Sequence, residues 1–593
     1  MSLKTYRLKT YLRKPHNIIL LILAVVLSYL VLLPFYYIIK DTLTVHSSEV
    51  MRIPGSKIGA LTSYHWTKLL FSKDSLSTFY IPLLNSLATS LGSCLVAIFA
   101  GGFFAWLVIR TDMRWKKFMT TLFIMPYIMP AWTLALAWNN FFKNSLVGGA
   151  TGIFTALTGL QTPNWLAYGA FPIIVVTGIH YAPFAYILIG GILRNMDSNL
   201  EEAAIVLQTS KVKMMFKITI PLVMPAVLST FILVFSSGMS SFATPQFLGL
   251  PVKYYVLTTQ MYRSINGTNP GLGYAIALIL IVLSLIIMFI NQKIVGTRKS
   301  YTTVSGKSSN FSLFKLGKFR TFISVFVIIL IICATLVPLV SFALESLITI
   351  PGDYSLENMS LRYWTEKDLA LTEGVLVNPT VYKAIKNSIL LSIFAAIGAG
   401  TIGCLGGYAI VRRWGSHLSS FVNNLTFIPY LIPSMAMSAI YLSMFAVRHG
   451  PIPALYGSFF LLVLIGTVKY LPMASRSGVN SMFQISAQLE EAAIVMGIPW
   501  RKRMTKILIP IQKSSIVSGY LLPFTSCMRE LDLFVLLYTP SSILLTTVLF
   551  QYSSKGFDQY ANAITLITIL LVVLMNAIVN KLTGASIEKG VGG

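Results

Sequence analysis

Apolar positions along this chain do not alternate with polar ones. They run nearly unbroken for about 20 residues at a time, the helix length needed to cross the roughly 30 Å hydrocarbon core of a bilayer. Twelve such runs are predicted, at about 18–39, 81–109, 118–141, 171–193, 222–243, 271–291, 321–343, 384–411, 420–446, 458–480, 514–537 and 561–580. The pattern predicts an all-α integral membrane fold. The first run, Ile18 to Ile39, is too long for a signal-peptide core and lacks a small-residue cleavage site, so it reads as a retained helix.

Composition agrees with the pattern. Of 593 residues, 55% are hydrophobic and 11% charged, and the mean hydropathy is +0.73. The net charge of +27 is spread over loops. Lys4, Arg7, Lys9, Arg13 and Lys14 precede the first run, and Arg110, Arg114, Lys116 and Lys117 follow the second. Lys293, Arg298, Lys299, Lys307, Lys315, Lys318 and Arg320 separate the sixth from the seventh, and Arg412 and Arg413 follow the eighth. With twelve spans these segments fall on one face, which the positive-inside rule makes cytoplasmic, with both termini there. The excess charge then sits beside anionic lipid headgroups. No basic domain with groove-reading or stacking elements is visible, so nucleic acid is not an expected partner.

The polar segments reveal a tandem repeat. "LLNSLATS" at Leu83 answers "IKNSILLS" at Ile385, and "IMPYIMP" at Ile124 answers "FIPYLIP" at Phe427. "YHWTKLL" near Trp66 answers "RYWTEKD" near Trp364. The order is kept, so the halves are parallel six-helix repeats, predicted as 1–295 and 321–593 and joined by a cytoplasmic linker at 296–320. The linker's "SGKSS" is no phosphate loop: Tyr301 stands where the first Gly would be, and no strand precedes it.

Another echo is longer. "LEEAAIVLQTSKVKMMFKITIP" begins at Leu200 and "LEEAAIVMGIPWRKRMTKILIP" at Leu489. Glu490 and Glu491 suit the positive end of a helix dipole. Ala492 and Ala493 leave a face of little bulk. Gly497 can take the left-handed conformation that ends a helix, and Pro499 suits the start of a second one. Each phrase predicts two short helices outside the membrane, at 200–221 and 489–510. A mere connector needs no preserved spelling, and the other loops have diverged much more, which points to a shared task.

The spacing E-A-A, three residues, Gly, nine residues, I-x-L-P resembles the EAA motif of ABC importer permeases. Glu491, Ala492, Ala493, Gly497, Ile507, Ile509 and Pro510 match in the second half, with Ile for Leu. Glu202, Ala203, Ala204, Ile218, Ile220 and Pro221 match in the first, where Gln208 replaces the Gly and a differently shaped turn is expected. The resemblance implies a type I ABC importer permease fold with both permease halves fused, as in ferric-iron transport permeases and their relatives for thiamine, phosphorylated sugars and aminoethylphosphonate. It implies that Glu201, Glu202, Ala203, Ala204, Gln208, Glu490, Glu491, Ala492, Ala493 and Gly497 couple the chain to ATPase subunits. Two copies of that subunit are expected, carrying ATP and magnesium, because no Walker A sequence is present here. An extracytoplasmic substrate-binding protein is the other implied partner, and a bacterial cytoplasmic (inner) membrane the implied location. This chain itself is expected to bind no cofactor and to catalyse no reaction. A carrier or channel without ATPase is the alternative of a different class, but nothing in it requires twin docking loops.

Charge within a span costs roughly 2.5–3.5 kcal/mol at mid-membrane on insertion scales, so it usually faces a pore or a partner. Arg529, Glu530 and Asp532 cluster in the eleventh run, where the first half has Ser240, Ser241 and Ala243. They read either as a translocation path or as a structural ion pair. Related permeases carry an acidic residue near this place, which puts Glu530 first. His180 reads as a hydrogen-bonded packing residue, and Lys469 and Arg476 as reaching toward an interface or lipid headgroup. Cys94, Cys333, Cys404 and Cys527 read as buried thiols, with no disulfide or zinc spacing and no metal site. Ferric iron is the substrate the resemblance favours. The acidic pair would also suit thiamine or a polyamine, and Arg529 with Arg52 and Lys57 a phosphorylated anion.

Overall fold

The computed structural model describes Tyr11 and residues 14–195, 206–296 and 314–583, apart from positions 54, 148, 149, 368, 370 and 371. Most of the expected linker and the first-half residues Glu201, Glu202, Ala203 and Ala204 lie outside them. Among the described residues, nine helices are long and apolar enough to cross a membrane, or twelve when each of three bent pairs counts as one span. The first half holds α1 (Pro15–Thr42), α2 (Ile81–Arg110), α3 (Lys116–Ile128 continued by Ala131–Phe142), α4 (Ala170–Asn195), α5 (Ile220–Ser240) and α6 (Pro270–Gly296). The second holds α7 (Arg320–Leu347), α8 (Pro379–Arg412), α9 (His417–Leu431 continued by Ser434–Phe445), α10 (Phe459–Phe483), α11 (Lys513–Met528) and α12 (Asp558–Thr583).

Three runs depart from the straight helices expected. The runs at 118–141 and 420–446 are bent by 95° and 110°. The breaks fall before Pro130 and Pro433. Each proline lacks an N–H and clashes with a helical predecessor, so Met129 and Ile432 turn extended, with ψ of 151° and 124°. The run at 514–537 ends its helix early, at Met528. There the Glu530 carboxylate accepts from the Leu533 N–H at 3.1 Å, a local bond that competes with helix continuation.

Within each half the second helix packs along the fourth, α2 on α4 and α8 on α10. Small residues permit the approach. A Cβ on Gly403 would come within 2.5 Å of the Ala474 carbonyl carbon, and one on Gly407 would collide with the Gly478 main chain. Gly101 faces the Ala182 carbonyl in the same way.

The first helix of each half crosses to the other half. α1 lies on α8 and α9, where the Tyr441 hydroxyl donates to the Leu30 carbonyl at 2.8 Å and the Ser443 hydroxyl to Asp41 at 2.6 Å. α7 lies on α3, where Lys143 pairs with Glu345 at 3.1 Å.

The repeated Asn-Ser now has a physical reason. Asn85 and Asn387 donate to the carbonyls of Tyr255 and Ile543, each at 2.9 Å. Ser86 and Ser388 accept from the N–H groups of Leu257 and Leu545 at 2.8 and 2.9 Å. Each pair holds the start of a short helix, Leu257–Ile265 or Leu545–Ser554, that follows the fifth helix of its half. The chain between the fifth helix and this short helix is thereby tied to the start of α2 or α8.

Candidate functional site

The two proline breaks meet the two ends of α5 and α11 around one cavity of about 330 Å³. Met129, Pro130, Ile432 and Pro433 line it from the breaks, and Ser240 and Ser241 from the end of α5. Arg529, Glu530 and Asp532 line it from the chain after α11. The five residues singled out from sequence thus share one space. His180 and Lys469 join them.

Each charged side chain is held by main chain or tyrosine, and none by its opposite. Arg529 donates to the carbonyls of Tyr127 at 2.7 Å and Ile128 at 3.3 Å, and lies over the Tyr127 ring. Glu530 accepts from the Tyr470 hydroxyl at 2.6 Å, besides Leu533. Asp532 accepts from the Phe242 N–H at 3.1 Å. Among the described residues no salt bridge joins Arg529 or Lys469 to either carboxylate. Of the two readings left open for this cluster, the structural ion pair between Arg529 and Glu530 is not formed. Arg529 is occupied by carbonyls left open at the break in α3, and those carbonyls belong to the other half.

Lys469 corrects another expectation. It reaches no interface but donates to the Ile432 carbonyl at 2.5 Å and the Pro429 carbonyl at 3.4 Å, at the break in α9. Each interrupted helix thus has a cation at its open C-terminal carbonyls, as the helix dipole favours. A sequence signal existed. Lys469-Tyr470 stands 289 residues after His180-Tyr181, so the two cavity-lining positions are equivalent. His180 is buried, with Nδ1 unpartnered, and no group of three His, Cys, Asp or Glu side chains fit for a metal occurs among the described residues. Arg476 is exposed and lies over the Phe427 ring at 4.7 Å. Of the cysteines, Cys94 and Cys527 are buried and Cys404 half-buried, but Cys333 on α7 is exposed, against the expectation of burial.

The second-half loop forms the two short helices expected, Ala487–Val495 and Trp500–Arg503. The Ser486 side chain caps the first by accepting from the Gln488 N–H. Gly497 ends it with φ at +70°. Leu489, Glu491, Ile494, Val495 and Met496 are exposed, Val495 by 88%. Glu490 is not: it is 6% exposed and turned inward, and Ala493 is buried with it. In the first half, Gln208 has φ at +51°. The turn keeps the left-handed form of its counterpart although a side chain is present, against the expectation of a different shape. A non-glycine residue there costs about 1–2 kcal/mol. Gln208→Gly is expected to stabilise the protein by about 1 kcal/mol, read as a raised midpoint in a thermal melt. A lowered midpoint would contradict a strained turn.

The profile of the family described as binding-protein-dependent transport system inner membrane component matches the chain twice, over residues 93–299 and 388–586. A ferric transport system permease protein of Actinobacillus pleuropneumoniae is 25% identical over 457 residues, covering 76% of this chain and 63% of that protein. A putative ferric transport system permease protein of Haemophilus influenzae is 25% identical over 70% of this chain and 63% of its own length. The chain thus aligns with less than two thirds of each of these relatives. A spermidine/putrescine transport system permease protein of Haemophilus influenzae is 27% identical over 40% of this chain and 83% of its own length.

Proposed function

Since the chain belongs to the family of inner membrane components of binding-protein-dependent transport systems, we propose that it is the fused permease of an ATP-driven importer. Its two halves enclose the path, and two copies of a separate ATPase subunit dock on its two loops. One observation carries this reading: a charged, cross-half cavity and an exposed apolar loop face occur in the same chain. Leu489, Ile494, Val495 and Met496 offer that face to a partner, with Glu491 beside it for a cationic rim. An extracytoplasmic binding protein delivers cargo from the opposite side, and both termini lie with the loops in the cytoplasm. ATP and magnesium act on the partner. Closing the ATPase pair brings the loops together and switches which side of the cavity is open.

The cargo we infer is ferric iron. Glu530, Asp532, Tyr127, Tyr181 and Tyr430 line the cavity, and such hard oxygen donors suit a hard cation. Two relatives bear a ferric name. A polyamine is the second reading, on the same carboxylates and the spermidine/putrescine name of a third relative. The test is purification with the ATPase encoded alongside. Wild type is expected to retain it in stoichiometric amount, and Val495→Glu, which charges the apolar face, to lose most of it at an unchanged melting temperature. Wild type emerging free of ATPase, yet transporting, would instead establish a carrier.

A further inference from the structure

We infer that Glu490 is a positioning residue: it fastens the loop helix to the end of α8, so that the two move as one body. This rests on the reading of the loop as the ATPase docking segment. The sequence groups Glu490 with Glu491 as a docking carboxylate, but the structure separates their roles. Glu491 faces out. Glu490 accepts from the Tyr408 hydroxyl at 2.8 Å and from Arg412 Nε at 2.6 Å, both on α8. Arg503 Nε, from the second short helix, lies 3.5 Å from Glu490 Oε1, the oxygen that also accepts from Tyr408. Arg503 in turn donates from Nη1 to the Ile498 carbonyl at 2.7 Å, bracing the turn between the short helices.

One buried carboxylate therefore joins three pieces of chain. Its two cations offset the cost of burying the charge, and the hydroxyl occupies the same oxygen that Arg503 approaches. Removing one member leaves the others buried and uncompensated, which makes such joints stiff. The grip is also well anchored. Tyr408 directly follows Gly407, whose main chain meets that of Gly478, so α8 is keyed to α10 where Glu490 holds it. A push on the exposed loop face has a direct route into α8.

The joint belongs to the second half in full form. By the repeat offsets, Glu201 and Arg110 match Glu490 and Arg412, but Trp106 stands for Tyr408 and Met214 for Arg503. At those positions the first half has neither the hydroxyl nor the second arginine.

The test uses the full chain bound to its ATPase in lipid nanodiscs, with the four native cysteines replaced by alanine. Spin labels are placed at Val495→Cys on the loop helix and Arg413→Cys beyond the end of α8, both exposed positions. In the wild-type background the interlabel distance is expected to be narrow and to keep its value when magnesium and ATP are added. Glu490→Gln should broaden it at least twofold and lower ATP-driven ferric iron uptake per ATP hydrolysed, while the ATPase stays bound. Tyr408→Phe changes no charge, serves if Glu490→Gln does not assemble, and should broaden it to a lesser degree. Unchanged distributions in Tyr408→Phe and in any assembled Glu490→Gln protein would overturn the proposal. Loss of ATPase from an otherwise folded Glu490→Gln protein would make Glu490 a docking residue and overturn it too. If wild type binds no ATPase at all, it is the importer reading that fails, and the joint with it.

Discussion

Gly407→Val is expected to unfold the second half's helix pair. The added Cβ on α8 has nowhere to go, because what it meets is the main chain of Gly478 and the N–H of Val479 on α10. A side chain could rotate away; backbone cannot. The two helices must separate, and the Gly403–Ala474 contact one turn away opens with them. A destabilisation of about 3 kcal/mol follows, at the upper end of overpacking penalties. Most of the variant should be lost to aggregation in detergent, measured by size-exclusion chromatography and a thermal melt. A wild-type melt would mean that the pair does not pack through these glycines.

Glu530→Gln is expected to do the opposite: leave the fold and remove the activity. The amide oxygen can still accept from the Leu533 N–H, and the amide nitrogen can donate to the Tyr470 hydroxyl, so both present hydrogen bonds have successors. Arg529 loses no ion pair, since its donors go to Tyr127 and Ile128. The melting temperature should therefore hold. ATP-driven uptake of ferric iron into proteoliposomes should fall by about tenfold, equivalent to about 1.4 kcal/mol, because one of the cavity's two carboxylates is gone. A stability loss restored by Arg529→Gln, with uptake recovered, would contradict both the geometry and the role.

Much of this was legible in the sequence, for reasons that can be named. Helical spans follow from apolar run length alone, and the second loop's two short helices from Glu490, Glu491, Gly497 and Pro499, while the Ser486 cap was read only from the folded chain. The breaks in α3 and α9 were written in the Met-Pro and Ile-Pro steps, but apolarity continues across them, so a hydropathy pattern does not register a bend. Charge partners were the harder matter. Sequence placed Arg529 beside Glu530 and suggested a pair; the folded chain turns Arg529 to carbonyls about 400 residues away in sequence. Glu490 and Glu491 are adjacent and identical, and only the position of Tyr408 and Arg412 distinguishes the inward one from the outward one.

The crossing of α1 onto the second half carries a consequence in time. Its partners Tyr441 and Ser443 lie 411 and 402 residues further along the chain. At roughly 5–20 residues per second of synthesis, α1 waits on the order of 20–80 s in the bilayer before they are made. During that interval α6 of its own half packs on its later part, and lipid covers the face that α8 and α9 later meet. Its composition fits the wait: it has a mean hydropathy of 3.0 over its most apolar window, only 33% of which is buried even in the finished fold. Asp41, its one acidic residue, sits at the far end near the interface, where water can serve it until Ser443 arrives. α1 thus completes its packing only after much of the second half is made, and carrying both halves on one chain ensures that this partner follows it.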